Sequence, residues 1–289
     1  MTKILTVEDT PAEVSQALRA EATETLERGG VVFFPRLPFM MSEPERVFLD
    51  PAVVRQPRRH TGRARIIYEP HSQKIRCSAL KEAAEQQRME AMVRRYAGWA
   101  RAFVAEIMPR YAGALEFGRT SYRPCVRTQA QGLYISSYLA APTRGRRMLR
   151  VFTNVNPHGE TRAWHFGEEP FESLVTRLLP RIKRGKPGRS WLLKCLGITP
   201  VRRTAYDDVM RQLRRLTKHN PELQRTAKRR IFEFPSGSTW IVCTDGLLHG
   251  ALTGQFAFEQ TLLLPVTAMA EPERSPLRIL ERLLGRSLA

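Results

Sequence analysis

The stretch FPSGSTWIVCTDGLLHGALTGQFAFEQTLLLPV, residues 234–266, decides the fold. Its Pro-Ser-Gly turn leads into an apolar strand, then into a turn that ends at His249, and then into a second, longer strand. Along the second strand, aromatic and amide side chains alternate with smaller or charged ones: Phe256, Phe258 and Gln260 against Ala257, Glu259 and Thr261. The pattern therefore predicts that the His249 imidazole lies near the start of a core β-strand.

Double-stranded β-helix oxygenases place the second histidine of a two-histidine, one-carboxylate iron site in this manner, with His-x-Asp or His-x-Glu on an earlier strand. A histidine at a β-turn is more often a hydrogen-bonding residue than a ligand, so this interpretation of His249 needs a partner pair. The chain contains one, His158-Gly159-Glu160, directly after Pro157. Two hypotheses stay open: a metal set of His249, His158 and Glu160, or a solvated surface turn.

The segments on either side of this stretch have the composition of helices and short strands. Helical periodicity favours residues 11–28, 78–111, 170–180 and 204–219, whereas strand patterns occupy 31–35, 120–124, 133–140, 148–156 and 230–245. We expect an α+β fold, with a double-stranded β-helix (jelly-roll) core and with N-terminal and inserted helices. The expected single domain covers residues 1–289: a mainly helical part (1–117), a β-core (118–266) with a helical insert at about 170–225, and a terminal helix (275–287).

Charge is the unusual feature of the composition. The chain has 289 residues and 42% apolar residues, which is ordinary for a globular protein, but 47 Lys and Arg against 28 Asp and Glu give a net charge of +19. Basic clusters at 181–189 and 202–230 suit lipid phosphates, sugar carboxylates or nucleic acid. The chain has no nucleic-acid-binding signature, so we rank nucleic acid below an anionic membrane surface.

The four cysteines show no CxxC pair, the N-terminus has no apolar signal region, and no apolar run is long enough to span a membrane. We therefore expect a cytoplasmic protein with reduced thiols. Its basic clusters favour peripheral attachment to the cytoplasmic face of the inner membrane, while the oligomeric state stays open.

Several segments between about residue 78 and the end of the chain carry a family resemblance. They are TSYRP, PTRGRRMLRVFTNVNPHGETRAW with GEEPFE, WLLKCLGIT with YDDVM, the residues of FPSGSTWIV…TD…H…GQFAFEQTLLLP, and SPLRILERLLGR. As an ordered set they resemble the Kdo hydroxylases, which use Fe(II), 2-oxoglutarate and O₂ to hydroxylate a 3-deoxy-manno-octulosonic acid (Kdo) sugar of lipopolysaccharide. The resemblance implies Fe(II) and 2-oxoglutarate as cofactors of an active member, and a Kdo-containing lipopolysaccharide precursor as partner.

One strand departs from the family pattern. In the family, an LHVDAF-like sequence before the PTRGRR turn supplies the first two iron ligands, whereas this chain reads LYISSY at 133–138. Tyr134 and Ser136 occupy the ligand positions. Neither is a good Fe(II) ligand at neutral pH, because a phenol, with its pKa near ~10, and a serine hydroxyl both stay protonated. The resemblance thus implies a degenerate iron site, in which no cofactor need be bound.

The 2-oxoglutarate carboxylate would need a cation or a hydrogen-bond donor. Arg150, Arg162 and Gln260 are the candidates, each with the alternative of packing in the sheet. Two functional hypotheses follow from the resemblance: a divergent oxygenase that recruits His158 and Glu160, or a non-catalytic binding protein for acidic glycolipid. Nucleic-acid binding is a third and weaker hypothesis.

Overall fold

Two sheets and a set of covering helices make up the part of the chain that the computed structural model describes: residues 2–50, 66–70, 74–76, 80, 82–124, 131–138, 141–183 and 203–289. The strands are β1 Ile4–Thr6, β2 Val31–Phe34, β3 Ile66–Glu69, β4 Lys74–Arg76, β5 Glu116–Arg123, β6 Arg147–Asn154, β7 Arg162–Gly167, β8 Arg229–Phe234, β9 Thr239–Cys243, β10 His249–Ala251 and β11 Ala257–Leu264. The helices are α1 Gln16–Glu27, α2 Ala83–Ile107, α3 Phe171–Leu178, α4 Ala205–Lys218, α5 Pro221–Thr226 and α6 Pro276–Leu284.

The strands form a large sheet of eight, in the order β1-β2-β9-β6-β11-β5-β3-β4, and a small sheet of three, in the order β10-β7-β8. The sheets face each other, because Trp164 on β7 contacts Phe152 and Trp240 of the large sheet, at ring-centroid distances of 4.7 and 5.8 Å. Two mostly antiparallel sheets packed in this way form the expected jelly-roll core.

The outer face of the large sheet is covered by α2. Tyr96 of this helix stacks on Phe258 of β11 at 4.5 Å, and its hydroxyl lies 3.2 Å from that of Thr153 on β6. The helix buries one side, because its apolar residues recur at three- and four-residue spacings. The two faces of the large sheet are therefore distinct: helices cover the outer face, and the inner face packs against the small sheet.

The sequence predictions agree with the structure for the long elements. Helix 78–111 corresponds to α2, helix 204–219 to α4, and the strand pattern at 254–266 to β11. The first 117 residues are less helical than expected, since β1 to β4 all join the large sheet.

Segment 133–140 was predicted as a strand, but over residues 131–138 the structure has a single bridge, between Tyr134 and His249. Part of its backbone pairs with β10 and with Thr244, through Gln131, Tyr134 and Ser136. The rest bonds to helices: Ile135 donates to Thr217, and Leu133 donates to and accepts from Gln224. Residues 139–140 and 184–202, including most of the basic cluster at 181–189, lie outside the described residues.

Candidate functional site

His249 opens β10, the strand that pairs with β7 at one side of the small sheet. Its side chain is buried, and its ring stacks on Trp164 at 5.7 Å with an interplanar angle of 18°. Nδ1 lies 2.8 Å from the carbonyl oxygen of Leu247. Since a carbonyl only accepts, Nδ1 carries the proton and Nε2 presents its lone pair.

Ser136 and Tyr134 lie against this imidazole. The Ser136 hydroxyl is 3.3 Å from Nε2 of His249, which makes it the donor to the ring's lone pair. The Tyr134 ring lies 4.8 Å from the imidazole, and the guanidinium of Arg214 on α4 lies 4.6 Å from the Tyr134 ring on another side. The structure thus brings together His249 and the two positions that the family resemblance paired with it.

The pKa of His249 is lowered to about 3, chiefly by burial and also by the positive charges of Arg150 and Arg214, against the opposing effects of the Leu247 carbonyl and Glu259. At neutral pH the imidazole is uncharged. Its hydrogen bond to Ser136 is a neutral one, and it attracts no anion.

A buried group of charges lies on the inner face of the large sheet. Arg150 belongs to the same face as Phe152, two residues along β6, and its guanidinium pairs with Glu259 of β11 at 3.2 Å. Arg123 of β5 pairs with the same carboxylate. Among the described residues, the Nε atoms of Arg123 and Arg150 are buried without a hydrogen-bond partner. Among the described residues, two arginines pair with this one glutamate, an excess of positive charge that suits a carboxylate ligand.

The other two candidates for cofactor contact lie differently. Arg162 is buried on the face of β7 that also carries Trp164, so its side chain is turned towards the interior. Gln260 has its carboxamide on the outer face: it accepts from the Thr120 hydroxyl at 2.6 Å and donates to the Thr261 carbonyl at 2.5 Å. Because successive strand residues point to opposite faces, Gln260 is turned away from Arg150 and Glu259.

The structure does not assemble the metal set of His158, Glu160 and His249. His158 and Glu160 are exposed in a turn around Gly159, where the Glu160 carboxylate accepts from Asn156 at 3.1 Å, whereas His249 is buried. Across the described ranges there is no group of three or more His, Cys, Asp or Glu residues placed to hold a metal ion. The cause is the turn itself, in which Asn156 bonds the backbone N–H of His158 and the carboxylate of Glu160, so that both residues stay at the surface.

Sequence reasoning missed three residues of this site: Arg123, Glu259 and Arg214. Glu259 was visible only as the one charged residue of its strand, a signal that marks buried charge when the strand is central. Arg214 lay within a run of basic residues, and nothing in that run distinguishes the one that reaches Tyr134.

The paired sheets, with His249 at the start of β10 and a cationic group on the facing strands, define a jelly-roll protein of the 2-oxoglutarate oxygenase type. The model of the family described as 3-deoxy-D-manno-oct-2-ulosonic acid (Kdo) hydroxylase matches residues 9–287. The chain belongs to this family. No curated protein matches it.

Solved structures of one family member are similar over nearly the whole chain. The Kdo hydroxylase KdoO, a non-heme Fe(II) α-ketoglutarate-dependent dioxygenase, in complex with succinate and Fe(III), is 37% identical, with a TM-score of 0.88. Its complex with α-ketoglutarate and Fe(III) is 36% identical, with a TM-score of 0.89, and its cobalt(II) complex is 36% identical, with a TM-score of 0.88. Each comparison covers 99% of this chain and 97% of the other.

The residues around His249 do not fit the ferrous iron that this family uses. One imidazole, one alcohol and one phenol lie together here, whereas such a centre uses two histidines and one carboxylate. The cationic Arg214 beside Tyr134 adds repulsion towards a divalent ion. The buried arginines, in contrast, fit a dicarboxylate such as 2-oxoglutarate or another acidic ligand.

Proposed function

We propose that the chain binds the acidic Kdo region of a lipopolysaccharide precursor, at the cytoplasmic face of the inner membrane, and does not carry out iron-dependent hydroxylation. The observation that carries the proposal is the contact of Ser136 and Tyr134 with His249. In place of the family's first two ligands, a hydroxyl bonds to the imidazole nitrogen that iron would take.

The geometry of the imidazole supports the loss of iron. A metal would have to displace the Ser136 hydroxyl from Nε2 and would gain in return only neutral oxygen atoms as further ligands. The Tyr134 ring occupies the space beside the imidazole, at 4.8 Å. A single neutral histidine holds Fe(II) weakly, because the family's affinity rests on three protein ligands on one face.

The cationic group supports the binding of an acid. Arg123 and Arg150 share Glu259 and are mostly buried, so they keep a net positive charge where little water competes for it. The carboxylate of a Kdo sugar has the charge and the planar geometry that guanidinium groups bind in a bidentate manner.

The surface beside the site supports contact with lipid phosphates. We call Arg211, Arg214, Arg215, Lys218, Arg225, Lys228 and Arg230 the basic surface; these residues are exposed or half-buried on α4, α5 and the start of β8. It flanks the site, because Arg214 stacks over Tyr134. In the described part of the chain, no helix is long and apolar enough to cross a membrane. A basic surface of this kind supports peripheral attachment to an anionic membrane.

Restoring the family's ligands tests the iron half of the proposal. We expect the wild-type chain to bind no stoichiometric Fe(II) and to form no succinate from 2-oxoglutarate. The double variant Tyr134→His with Ser136→Asp should gain Fe(II) binding, measured by titration under anaerobic conditions. The variant Thr120→Ser, on the outer face, is a control that should gain nothing. Stoichiometric iron binding and succinate formation by the wild-type chain would refute the proposal.

The binding half is tested with Kdo-containing lipid in detergent. We expect saturable binding by the wild-type chain without metal, and a loss of about tenfold in Arg150→Gln, since a charge-assisted hydrogen bond to a carboxylate is removed. Equal affinity for a lipid acceptor that lacks Kdo would show that the site does not recognise this sugar.

A further inference from the structure

A large cleft lies outside the site just described. It has a volume of about 790 Å³ and is bordered by the end of α1, the start of α3, the turn after β9 and the segment leading into α6. Arg147 forms part of its wall. Since Arg147 is three residues before Arg150 on β6, it lies on the opposite, outer face of the large sheet. Arg147 therefore faces away from Arg150, and the cleft touches the site just described only at Leu247 among the described residues.

Two buried polar atoms at this cleft have no hydrogen-bond partner among the described residues: Nη1 of Arg147 and Oγ1 of Thr25. Arg147 is only 2% exposed, and Asp245 holds its Nε at 3.1 Å, so the guanidinium is fixed in direction. An unpaired donor on a buried cation is costly unless a ligand completes it. An oxygen atom of an anionic ligand would accept the hydrogen bond that Nη1 of Arg147 can donate.

The N-terminus of α3 adds a second feature that favours an anion. Its N-cap is Pro170, which offers no side-chain cap, and Glu169, Pro170 and Phe171 border the cleft. The first backbone N–H groups of a helix without a cap are free donors, and the helix dipole favours negative charge there.

The rim has the opposite character. Seven glutamates and five Lys or Arg residues border the cleft, in a chain whose net charge is +19. Some of these carboxylates are paired, such as Glu172 with Arg282 at 3.0 Å and Glu24 with Arg28 at 2.9 Å. Glu168 and Glu273 have no ion pair in the described structure. A bare polyanion would be repelled at this rim, whereas a ligand that also carries a cation would be attracted.

We propose that this cleft is a second binding site, for a small zwitterion whose phosphate meets Arg147 and the start of α3 and whose ammonium group meets Glu168 and Glu273. The site does not depend on the proposed function, because it shares no residue with the Arg123, Arg150 and Glu259 group. A negative result for this second site would therefore leave the proposed function untouched, and the reverse also holds.

Phosphoethanolamine is the smallest probe with both groups, and its binding is measured by isothermal titration calorimetry. Gly246→Ala is the test variant: it would place a methyl carbon 3.2 Å from Nη2 of Arg147, and Gly246 does not have a positive φ. We expect about tenfold weaker binding or more, because the methyl group would displace the Arg147 guanidinium and with it the Nη1 donor of a charge-assisted hydrogen bond to the phosphate. Gly98→Ala is the matched control, since a Cβ there meets no other atom within 4 Å.

A second variant guards against a folding defect. Thr25→Val keeps the shape of the side chain and removes only the unpaired hydroxyl, so it should weaken phosphoethanolamine binding several-fold while the melting temperature stays close to that of Gly98→Ala. No binding of phosphoethanolamine, or equal binding by the wild-type chain and Gly246→Ala, would overturn the site. Ethanolamine or inorganic phosphate binding as tightly as phosphoethanolamine would overturn its zwitterionic character.

Discussion

Arg147 and Asp245 form a fully buried ion pair where β6 begins, among the central strands of the large sheet. The Nε atom of Arg147 lies 3.2 and 3.1 Å from the two carboxylate oxygens, and the backbone N–H of Met148 donates to the same group at 3.0 Å. Removing one partner leaves the other charge without compensation in a medium of low dielectric constant. Loss of a single residue of such a buried ion pair is therefore expected to lower the free energy of unfolding strongly.

We predict that Asp245→Asn destabilises the fold by about 3–5 kcal/mol, measured by urea unfolding. Asp208→Asn is the control, because Asp208 lies 3.9 Å from Arg211 on an exposed helix face. It should change the free energy of unfolding by no more than about 0.5 kcal/mol. If Asp245→Asn and Asp208→Asn lowered the free energy of unfolding equally, burial of the Arg147–Asp245 pair would not be the cause of the destabilisation.

His249 gives the unfolding free energy a dependence on pH. Burial lowers its pKa to about 3, below the ordinary value of 6.5, so the unfolded chain binds the proton first as the pH falls. The stabilising contribution of the neutral ring is therefore complete above pH 6.5 and is lost as the pH falls towards 3.

Between pH 6.5 and 5 the unfolding free energy of the wild-type chain should fall more steeply than that of His249→Gln, by up to about 1.4 kcal/mol per pH unit. Urea unfolding at several pH values measures both slopes. His219→Gln, which removes an exposed imidazole, should keep the wild-type slope. A His249→Gln slope equal to that of the wild-type chain would mean that this histidine is charged in the folded state.

At the level of elements, helices α4 and α5 hold segment 131–136 in the place where a strand was expected. Gln224 binds both backbone groups of the buried Leu133, at 2.9 and 2.7 Å, and Thr217 accepts from Ile135 at 3.1 Å. These bonds fix the segment so that Ser136 reaches His249. The helical insert is thus part of the site.

We expect Gln224→Ala to cost about 1–3 kcal/mol, because two buried backbone groups lose their partner. Hydrogen exchange at the amides of Leu133 and Ile135 should accelerate as well. Gln212→Ala is a matched control: Gln212 binds both backbone groups of Lys183 in the same way, at 2.8 and 3.0 Å, but at an exposed position. Its loss should cost much less, since water replaces the bonds.

These elements also show how far the sequence alone leads. Helix α2 and strand β11 were predictable because their apolar periodicity is long and regular. The strand predicted at 133–140 is reduced, over its described residues, to one bridge with β10, because side chains of α4 and α5 that lie more than 80 residues away in sequence bind the rest of its backbone. Strand β7 was missed because all six of its residues are buried, so no alternation marks it.

Some residues of the candidate site could likewise be predicted from the sequence, and others could not. His249, Tyr134 and Ser136 were found through their motif, and the structure brings them together. The pairing of Arg123 with Glu259 depends on the register of β5 and β11, which sequence patterns do not reveal. His158 and Glu160 matched the spacing of a metal pair, yet spacing says nothing about burial.

For the molecule as a whole, the two faces of the large sheet carry different chemistry. The inner face carries Arg123 and Arg150, and the outer face carries Arg147, where β6 begins, at the wall of the cleft. The net charge of +19 is unevenly distributed over this frame: the basic surface lies beside the inner site, whereas the cleft has an acidic rim. An anionic membrane surface would attract the first and not the second, so the proposed attachment would place the inner site towards the membrane.

This orientation predicts how the chain binds anionic vesicles. Reversing two charges of the basic surface, in Arg215→Glu with Arg225→Glu, should weaken binding by about 2 kcal/mol or more, which is roughly 30-fold. Reversing two exposed charges elsewhere, in Arg46→Glu with Arg88→Glu, produces the same net charge and should weaken binding much less. Sedimentation with vesicles at two salt concentrations measures both variants, and higher salt should weaken binding of the wild-type chain. Equal losses in the two double variants would mean that net charge alone drives attachment, while RNA binding that persists at physiological salt without vesicle binding would assign the basic surface to nucleic acid.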